Sequence, residues 1–216
     1  MLVAEWMTRD PAALRGEDTL AMAADLMARR KIRRVPIVEA GGRVVGIVTK
    51  GDLLAAAPPD LNPFSAGANE APALERPLRA VMTASPLTVR GEAPIENAAR
   101  LMVEKKIAGM PVVREDGTLA GIITESDIFR AFALALGADE PGLRVTFDVS
   151  RDEDAAGFAV DLARRHKLRL ASLATYARGP GRVAVVRLVG AEPAGLIDEI
   201  WKTGHRVVSV LRLARP

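Results

Sequence analysis

Apolar residues in the first part of the chain recur with a period that changes from helical to strand-like within a short distance. Over residues 19–30 they are spaced three or four apart, which places them on one face of a helix. Short apolar runs at 35–38 and 43–49 flank the turn Gly41-Gly42, as in a strand hairpin. A short helical stretch follows at 50–57. With a strand ahead of the first helix, this pattern predicts a β-α-β-β-α unit.

The same pattern returns 75 positions later, where Met7–Leu54 aligns with Met82–Phe129 without a gap. The second copy predicts a helix, two strands and a longer helix at residues 94–105, 110–114, 118–124 and 125–136. Each copy is too short to bury a large core by itself, so two copies indicate a paired module with a pseudo-twofold axis. Such a pair has a cleft between its halves, and small ligands commonly bind in clefts of this kind.

The last third of the chain follows a different plan. Its stretches run in the order strand, helix, strand, strand, helix and strand, at residues 143–149, 152–167, 169–176, 183–189, 192–203 and 206–213. This is the order of the ferredoxin-like split βαβ fold. The predicted fold class is therefore mixed α/β (α+β), with a first repeat at 1–57, a second repeat at 77–137 and a third domain at 143–216. The proline-rich stretch 58–76 predicts a flexible linker.

The composition excludes several classes of protein. Cysteine is absent and histidine occurs twice, so we expect no disulfide, no metal site and no catalytic residue set. The absence of cysteine suits a reducing compartment and predicts a cytoplasmic protein. No apolar run reaches the roughly 18–20 residues that cross a bilayer, and the first residues lack the pattern of a secretory signal. A net charge of +3, with acidic and basic residues interspersed, does not favour nucleic-acid binding.

One motif, Gly-apolar-apolar-Thr-x-x-Asp, ends the hairpin of each repeat, with Thr49 and Asp52 in the first copy and Thr124 and Asp127 in the second. A threonine followed by an acid three residues later, where a strand runs into a helix, is typical of a capping box. The alternative is a ligand site. A carboxylate at a helix start can accept hydrogen bonds from both hydroxyls of a ribose, and the N–H groups of the first helical turn can bind phosphate. The recurrence of the motif in both halves favours the ligand site.

The two repeats resemble a tandem pair of CBS domains (a Bateman module). The resemblance rests on a Met-Thr-x-x-Pro segment that opens each repeat, on Val35-Pro36 and Met110-Pro111 near the start of a strand, and on the Gly-apolar-apolar-Thr-x-x-Asp motif. It implies a non-catalytic regulator whose cleft binds an adenosine-containing ligand. AMP, ADP and ATP are the ligands expected first, with S-adenosylmethionine or NAD as alternatives, and no further cofactor is implied.

The resemblance also implies roles for particular residues. Ribose contacts fall on Asp52 and Asp127. Phosphate and helix-start contacts fall on Thr49, Thr124, Arg33 and Arg34. An adenine wall falls on Thr8, Pro36, Ile37, Pro111 and Val112. Because the second repeat has Ala108 and Gly109 in place of the arginine pair, we expect phosphate to be held mainly at the pocket of the first motif.

Residues 143–213 resemble an ACT-like domain, and two CBS repeats followed by such a domain are similar to the acetoin-utilisation B-type family. The loop 150–154 has no glycine, so the amino-acid site of ACT domains does not carry over. The CBS resemblance, together with apolar helix faces too large for one repeat to bury, predicts a homodimer. These faces are formed by Leu101, Met102, Ile128, Phe129 and Phe132. An unidentified regulated protein is the further partner expected, and an interaction or DNA-linked adaptor with vestigial pockets is the alternative.

Overall fold

A computed structural model describes residues 1–65, 71–151, 154–202 and 204–214. The chain forms two compact units, Met1–Ile128 and Phe129–Pro216. Both units combine helices with antiparallel strands, and the predicted mixed α/β class is confirmed. No helix in the described part of the chain is long and apolar enough to cross a membrane.

The first unit contains both repeats. The first repeat has α1 (Val3–Trp6), β1 (Thr8–Arg9), α2 (Leu20–Arg30), β2 (Arg34–Val38), β3 (Val44–Thr49) and α3 (Lys50–Ala56). Two 3-10 helices follow at Pro72–Leu74 and Leu78–Ala80. The second repeat has β4 (Thr83–Ala84), β5 (Val89–Arg90), α4 (Ile95–Lys105), β6 (Gly109–Val113), β7 (Leu119–Thr124) and α5 (Glu125–Ala135).

The duplication is visible in how the long helices end. Lys31 follows the last residue of α2, and Lys106, 75 positions later, follows the last residue of α4. Both lysines have a φ of 54°, in the left-handed region. The backbone N–H of the following residue closes the turn in the same way in both copies. Ile32 donates to the carbonyl oxygen of Met27, and Ile107 donates to that of Met102, each at 3.0 Å. These bonds satisfy carbonyls that a helix end leaves unpaired.

Each repeat gives its opening strand to the sheet of the other. The strands of the first sheet lie in the order β2-β3-β4, so β4 of the second repeat pairs with β3. The second sheet has the order β1-β7-β6-β5, so β1 of the first repeat pairs with β7. The registers are equivalent, because Thr8 lies opposite Ile122 and Thr83 lies opposite Ile47.

The exchange extends into the two hydrophobic cores of the first unit. Val3, on α1, is completely buried in the core that contains Met102 and Met110 of the second repeat. Leu74 and Leu78, on the two 3-10 helices, are completely buried in the core of the first repeat. The second repeat therefore needs α1 to complete its core, and the first repeat needs the two 3-10 helices that lead into the second.

The flexible linker expected at 58–76 is packed in its described part. Besides Leu74, Phe64 lies against the first core, and the Lys50 ammonium stands 4.7 Å from the centre of its ring. The proline content predicts a flexible segment, but apolar side chains of this stretch pack against the core of the first repeat. Residues 66–70 lie outside the described residues.

The helix faces expected at a dimer interface divide into two groups. Met102 is 3% exposed, and Leu101 and Ile128 pack against the second core, so these three side chains are used within the chain. Phe129 and Phe132, on α5, are 68% and 62% exposed. The homodimer, whose mass light scattering would measure, stays a prediction that rests on α5.

The second unit consists of β8 (Gly142–Asp148), α6 (Ala155–Arg165), β9 (Arg169–Arg178), β10 (Gly181–Val189), α7 (Leu196–Trp201) and β11 (Val207–Leu213). Its sheet has the antiparallel order β11-β8-β10-β9, which is the strand arrangement of a split βαβ fold. The two helices cover one face, where Phe147 packs with Leu162 and Ile200. The predicted order of elements is confirmed, with helix and strand ends shifted by a few residues.

Candidate functional site

The first copy of the Thr-x-x-Asp motif forms a capping box, and the second copy makes the same two bonds from threonine to the aspartate carboxylate. The Asp52 Oδ2 accepts hydrogen bonds from the Thr49 backbone N–H at 2.7 Å and from the Thr49 hydroxyl at 2.8 Å. The Asp127 Oδ2 accepts the equivalent bonds from Thr124 at 2.9 and 2.7 Å. The capping interpretation of the motif is therefore confirmed for the first copy. It does not exclude ligand binding, because it occupies one oxygen and fixes the direction of the whole carboxylate.

The two carboxylates differ in their surroundings. Asp127 is only 6% exposed, whereas Asp52 is half-buried. The second oxygen of Asp52 makes no hydrogen bond to any residue that the structure describes. A held carboxylate with an unused oxygen at a helix start can accept a hydroxyl from a ligand.

Beside each motif, three residues lie side by side across the sheet. In the first sheet Ile47 pairs with Pro36 on one side and with Thr83 on the other. In the second sheet Ile122 pairs with Pro111 and with Thr8. Both isoleucines are nearly buried, at 8% and 7% exposure, but neither belongs to a core cluster. They lie on the sheet face opposite to the core, next to the exposed threonines.

Two residues predicted for the adenine wall lie elsewhere. Ile37 and Val112 have no exposed surface and belong to the first and second core. Side chains alternate between the two faces of a strand, so the neighbouring Pro36 and Pro111 point away from those cores. The wall prediction is wrong for Ile37 and Val112, because a strand that is buried on both faces shows no alternation in its sequence.

Thr83, which the predicted site does not include, occupies in the first sheet the place of Thr8 in the second. The signal was present, since Met7-Thr8 aligns with Met82-Thr83 at the 75-residue spacing. The predicted adenine wall includes Thr8 but not Thr83, because the sequence does not show that the opening strands are exchanged. Thr8 therefore lies with the second motif, although it belongs to the first repeat.

Arg34 crosses from the first repeat to the second. Its backbone pairs with Thr49 in the first sheet, but its guanidinium Nη1 donates to the carbonyl oxygen of Ala108. Burial and the neighbouring Arg33 lower the pKa of Arg34, while the negative charges of Glu125 and Asp127 act in the opposite direction. The guanidinium therefore stands beside the second motif, whereas the sequence analysis grouped it with Thr49 and Asp52.

The position of Arg34 explains the glycine at its counterpart, Gly109. A Cβ on Gly109 would overlap the Arg34 Nη1 and approach the Ile123 carbonyl oxygen to 2.8 Å. A second large side chain at this place would displace the first. The difference between the repeats at 34 and 109 is thus a steric requirement, and it leaves one guanidinium near the pseudo-twofold axis.

The histidines of the described ranges make structural contacts rather than a metal site. Within the described ranges, no three His, Cys, Asp or Glu side chains are grouped as a metal site would require. His166 forms a 2.7 Å contact with Glu199, and the His205 ring packs on Phe158 with centroids 4.8 Å apart. A hollow of about 1040 Å³ lies at the hairpin end of the second repeat, where Arg9 and Arg114 line it, and its lining includes no residue of either motif.

Several solved structures are similar to about two thirds of this chain, and some of them are CBS domain pairs. A putative acetoin utilization protein (AcuB) from Vibrio cholerae is 37% identical over 64% of this chain and 93% of its own, with a TM-score of 0.52. CBSX2, solved in complex with AMP, is 31% identical over 61% of this chain and 95% of that chain, with a TM-score of 0.51. The CBS domain pair of MJ0100, solved with 5′-methylthioadenosine and S-adenosyl-L-methionine, is 26% identical over 62% and 96%, with a TM-score of 0.52.

The family comparison covers both repeats. The chain spans 32% of the length of one curated relative that it matches at 33% identity, and 53% of another at 32% identity. The model of the CBS domain matches residues 3–58 and 78–134, which is more than half of the chain. Each matched repeat carries one Thr-x-x-Asp motif and receives its opening strand from the other repeat. The chain therefore belongs to the CBS domain family.

Proposed function

We propose that the CBS pair binds an adenosine-containing ligand, AMP, ADP or ATP, and that the protein acts as a regulator without catalysis of its own. The observation that carries the proposal is the paired geometry of the first unit. Each sheet places a fixed carboxylate, a helix start, a proline and an exposed threonine on the face turned away from its core. Ribose, phosphate and base each have a suitable partner in this set.

The carboxylates suit ribose. Their direction is fixed by the threonine N–H and hydroxyl, so little ordering entropy is lost when a diol binds. The base would lie against Pro111 and Thr8 at the second motif, or against Pro36 and Thr83 at the first. These pairs flank Ile122 and Ile47, and in each set the threonine is exposed beside a buried proline and a buried isoleucine.

Phosphate would be bound by Arg33 and Arg34 together with the helix starts at Thr49 and Thr124. Arg33 is exposed, and Arg34 is held between the repeats. Since the Arg34 guanidinium stands beside the second motif, we place its phosphate contact near Asp127 rather than near Asp52. The charge-assisted bond to an anion would replace the present bond to the Ala108 carbonyl.

The solved relatives support an adenosine moiety without fixing the rest of the ligand. CBSX2 was solved with AMP, and the MJ0100 pair was solved with 5′-methylthioadenosine and S-adenosyl-L-methionine. Adenosine is common to all three compounds. S-adenosylmethionine is therefore the second candidate for this chain, and NAD the third. An adaptor with vestigial pockets would bind none of them.

We assign the second unit to the ACT-like class on its strand order and propose that it transmits the ligand signal to a regulated protein. Helix α5 begins at the second motif in the first unit and ends in the second unit. A ligand at Asp127 would therefore act on the start of an element that both units share. The signal can be no larger than the difference in ligand affinity between the two conformations.

A calorimetric screen of the whole chain tests the proposed function. The compounds are AMP, ADP, ATP, S-adenosylmethionine, 5′-methylthioadenosine and NAD, with GMP as the control for the base. We expect saturable binding of at least one adenosine compound, with at most two sites per chain, and no binding of GMP. Absence of binding by every adenosine compound would favour the adaptor.

A further inference from the structure

Arg187, in the middle of β10, is a buried arginine whose charge has no carboxylate partner among the residues that the structure describes. It is 8% exposed. Its Nη1 donates to the carbonyl oxygens of Glu140 at 2.7 Å and Ala138 at 3.5 Å. The Nε, however, is buried without a hydrogen-bond acceptor among the described residues. A buried polar atom of this kind is uncommon and costs stability, so it requires an explanation.

A second arginine lies directly beside it. Arg144 on β8 is the cross-strand partner of Arg187, and Ser172 on β9 is the partner on the other side. Leu143, Val145, Val186 and Leu188, which are adjacent to the arginines in sequence, belong to the core. Both arginines therefore lie on the face that α6 and α7 do not cover. Like charges at directly opposed strand positions repel each other.

Neither arginine forms an ion pair within the part of the chain that the structure describes. Arg187 contacts backbone carbonyl oxygens, and Arg144 contacts a hydroxyl. Arg144 Nη1 is 3.5 Å from the Oγ1 of Thr146, which is 5% exposed. The Ser172 hydroxyl donates to the carbonyl oxygen of Leu136. The two positive charges are thus compensated only by carbonyl and hydroxyl dipoles.

From these contacts we infer a binding site for a compact oxyanion, a carboxylate or a phosphate group, between Arg144 and Arg187. The edge of a guanidinium formed by Nε and one Nη presents two parallel N–H groups, which match two oxygens of such an anion. In Arg187 the other nitrogen, Nη1, is already used by the two carbonyls. The anion would satisfy the buried Nε and separate the two positive charges, and Thr146 could donate a further hydrogen bond. The site lies in the second unit and does not depend on the proposed adenosine site.

The test is a titration of the whole chain, labelled with ¹⁵N at arginine, followed by NMR at the Nε–H resonances. Inorganic phosphate and acetate are added separately up to tens of millimolar, and sodium chloride keeps the ionic strength constant. We expect one resonance to shift saturably and its exchange with water to slow down. That resonance should be absent in Arg187→Lys, which keeps the charge but lacks the two-donor edge. A stronger response to phosphate or to acetate identifies which anion the site prefers.

Two further variants complete the design. Arg144→Gln keeps Arg187 and should lower the affinity for the anion about tenfold, as expected for the loss of one charged hydrogen bond. Because this variant retains Arg187, the test does not depend on whether Arg187→Lys folds. Arg178→Gln removes an equal charge at the exposed end of β9 and should leave the affinity unchanged. If neither phosphate nor acetate gives a saturable shift, or if Arg178→Gln has the same effect as Arg144→Gln, water satisfies the Nε and the oxyanion site is rejected.

Discussion

We expect AMP at about 100 times its dissociation constant to raise the melting temperature of the protein by roughly 5–11 °C. A ligand at that concentration stabilises the folded state by about 2.7 kcal/mol, and for a chain of this length 1 kcal/mol corresponds to about 2–4 °C. Adenosine should give a smaller shift, because it lacks the phosphate that Arg33 and Arg34 would bind. Replacing both arginines with alanine should lower the AMP response to that of adenosine. Differential scanning calorimetry measures all three shifts in melting temperature.

The matched control for the arginine pair is Arg29→Ala with Arg30→Ala. These residues carry the same charge at the exposed end of α2, and Arg29 pairs with Asp25 rather than with a group in the cleft. The control should lower the melting temperature of the free protein slightly and leave the ligand response unchanged. Equal responses to adenosine and AMP in the unmodified protein would contradict the phosphate role of Arg33 and Arg34.

Val3→Asp is expected to destabilise the protein by about 3–5 kcal/mol, the typical cost of an uncompensated buried charge. Val3 has no exposed surface and contributes to the core of the second repeat, although it lies at the start of the chain. A loss of this size is a large part of the usual stability of a domain. Urea denaturation followed by circular dichroism measures the free energy of unfolding.

Leu2→Asp is the matched control for Val3→Asp, because the neighbouring Leu2 side chain is 43% exposed. Its effect should be small, within about 0.5 kcal/mol, as for most surface substitutions. Similar losses in the two variants would mean that the first residues do not complete the second core. The account of exchanged opening segments would then be wrong.

The sequence predicted the helices and strands of both units because their hydrophobic periods differ clearly from one another. It also predicted the ferredoxin-like arrangement, since the order of elements leaves few compact alternatives. It could not show that β1 pairs with β7 and β4 with β3. A two-residue strand has no pattern of its own, and the choice of sheet depends on pairings between distant residues, Thr8 with Ile122 and Ile47 with Thr83.

The candidate site was predicted in part for a similar reason. Repetition identified Thr49, Asp52, Thr124 and Asp127, and the structure places each pair in the same local geometry. The direction of a long side chain is a tertiary property, so the contact of Arg34 with Ala108 could not be read from the sequence. The continuous apolar run Val35–Val38 likewise left open which residues face the core.

The central claim is that the aspartates of the two capping boxes bind the ribose of an adenosine ligand. The direct measurement is calorimetric titration of Asp52→Asn and Asp127→Asn with the tightest compound of the screen. Asparagine keeps the shape but removes the charge, so at least one variant should lose about 1.5–3 kcal/mol of binding free energy, or roughly 10–150-fold in affinity.

The control is Asp116→Asn. Asp116 accepts the same pair of bonds, from the Thr118 N–H at 2.9 Å and the Thr118 hydroxyl at 2.7 Å, but it lies in the hairpin turn away from both motifs. The hydrogen bond from the Thr118 side chain is the main reason that its pKa is lowered, so a local loss of stability is expected here too. We predict unchanged affinity in Asp116→Asn and weakened affinity in Asp52→Asn, Asp127→Asn or both. Unchanged dissociation constants in all three variants would contradict the claim and leave the motif as a helix cap.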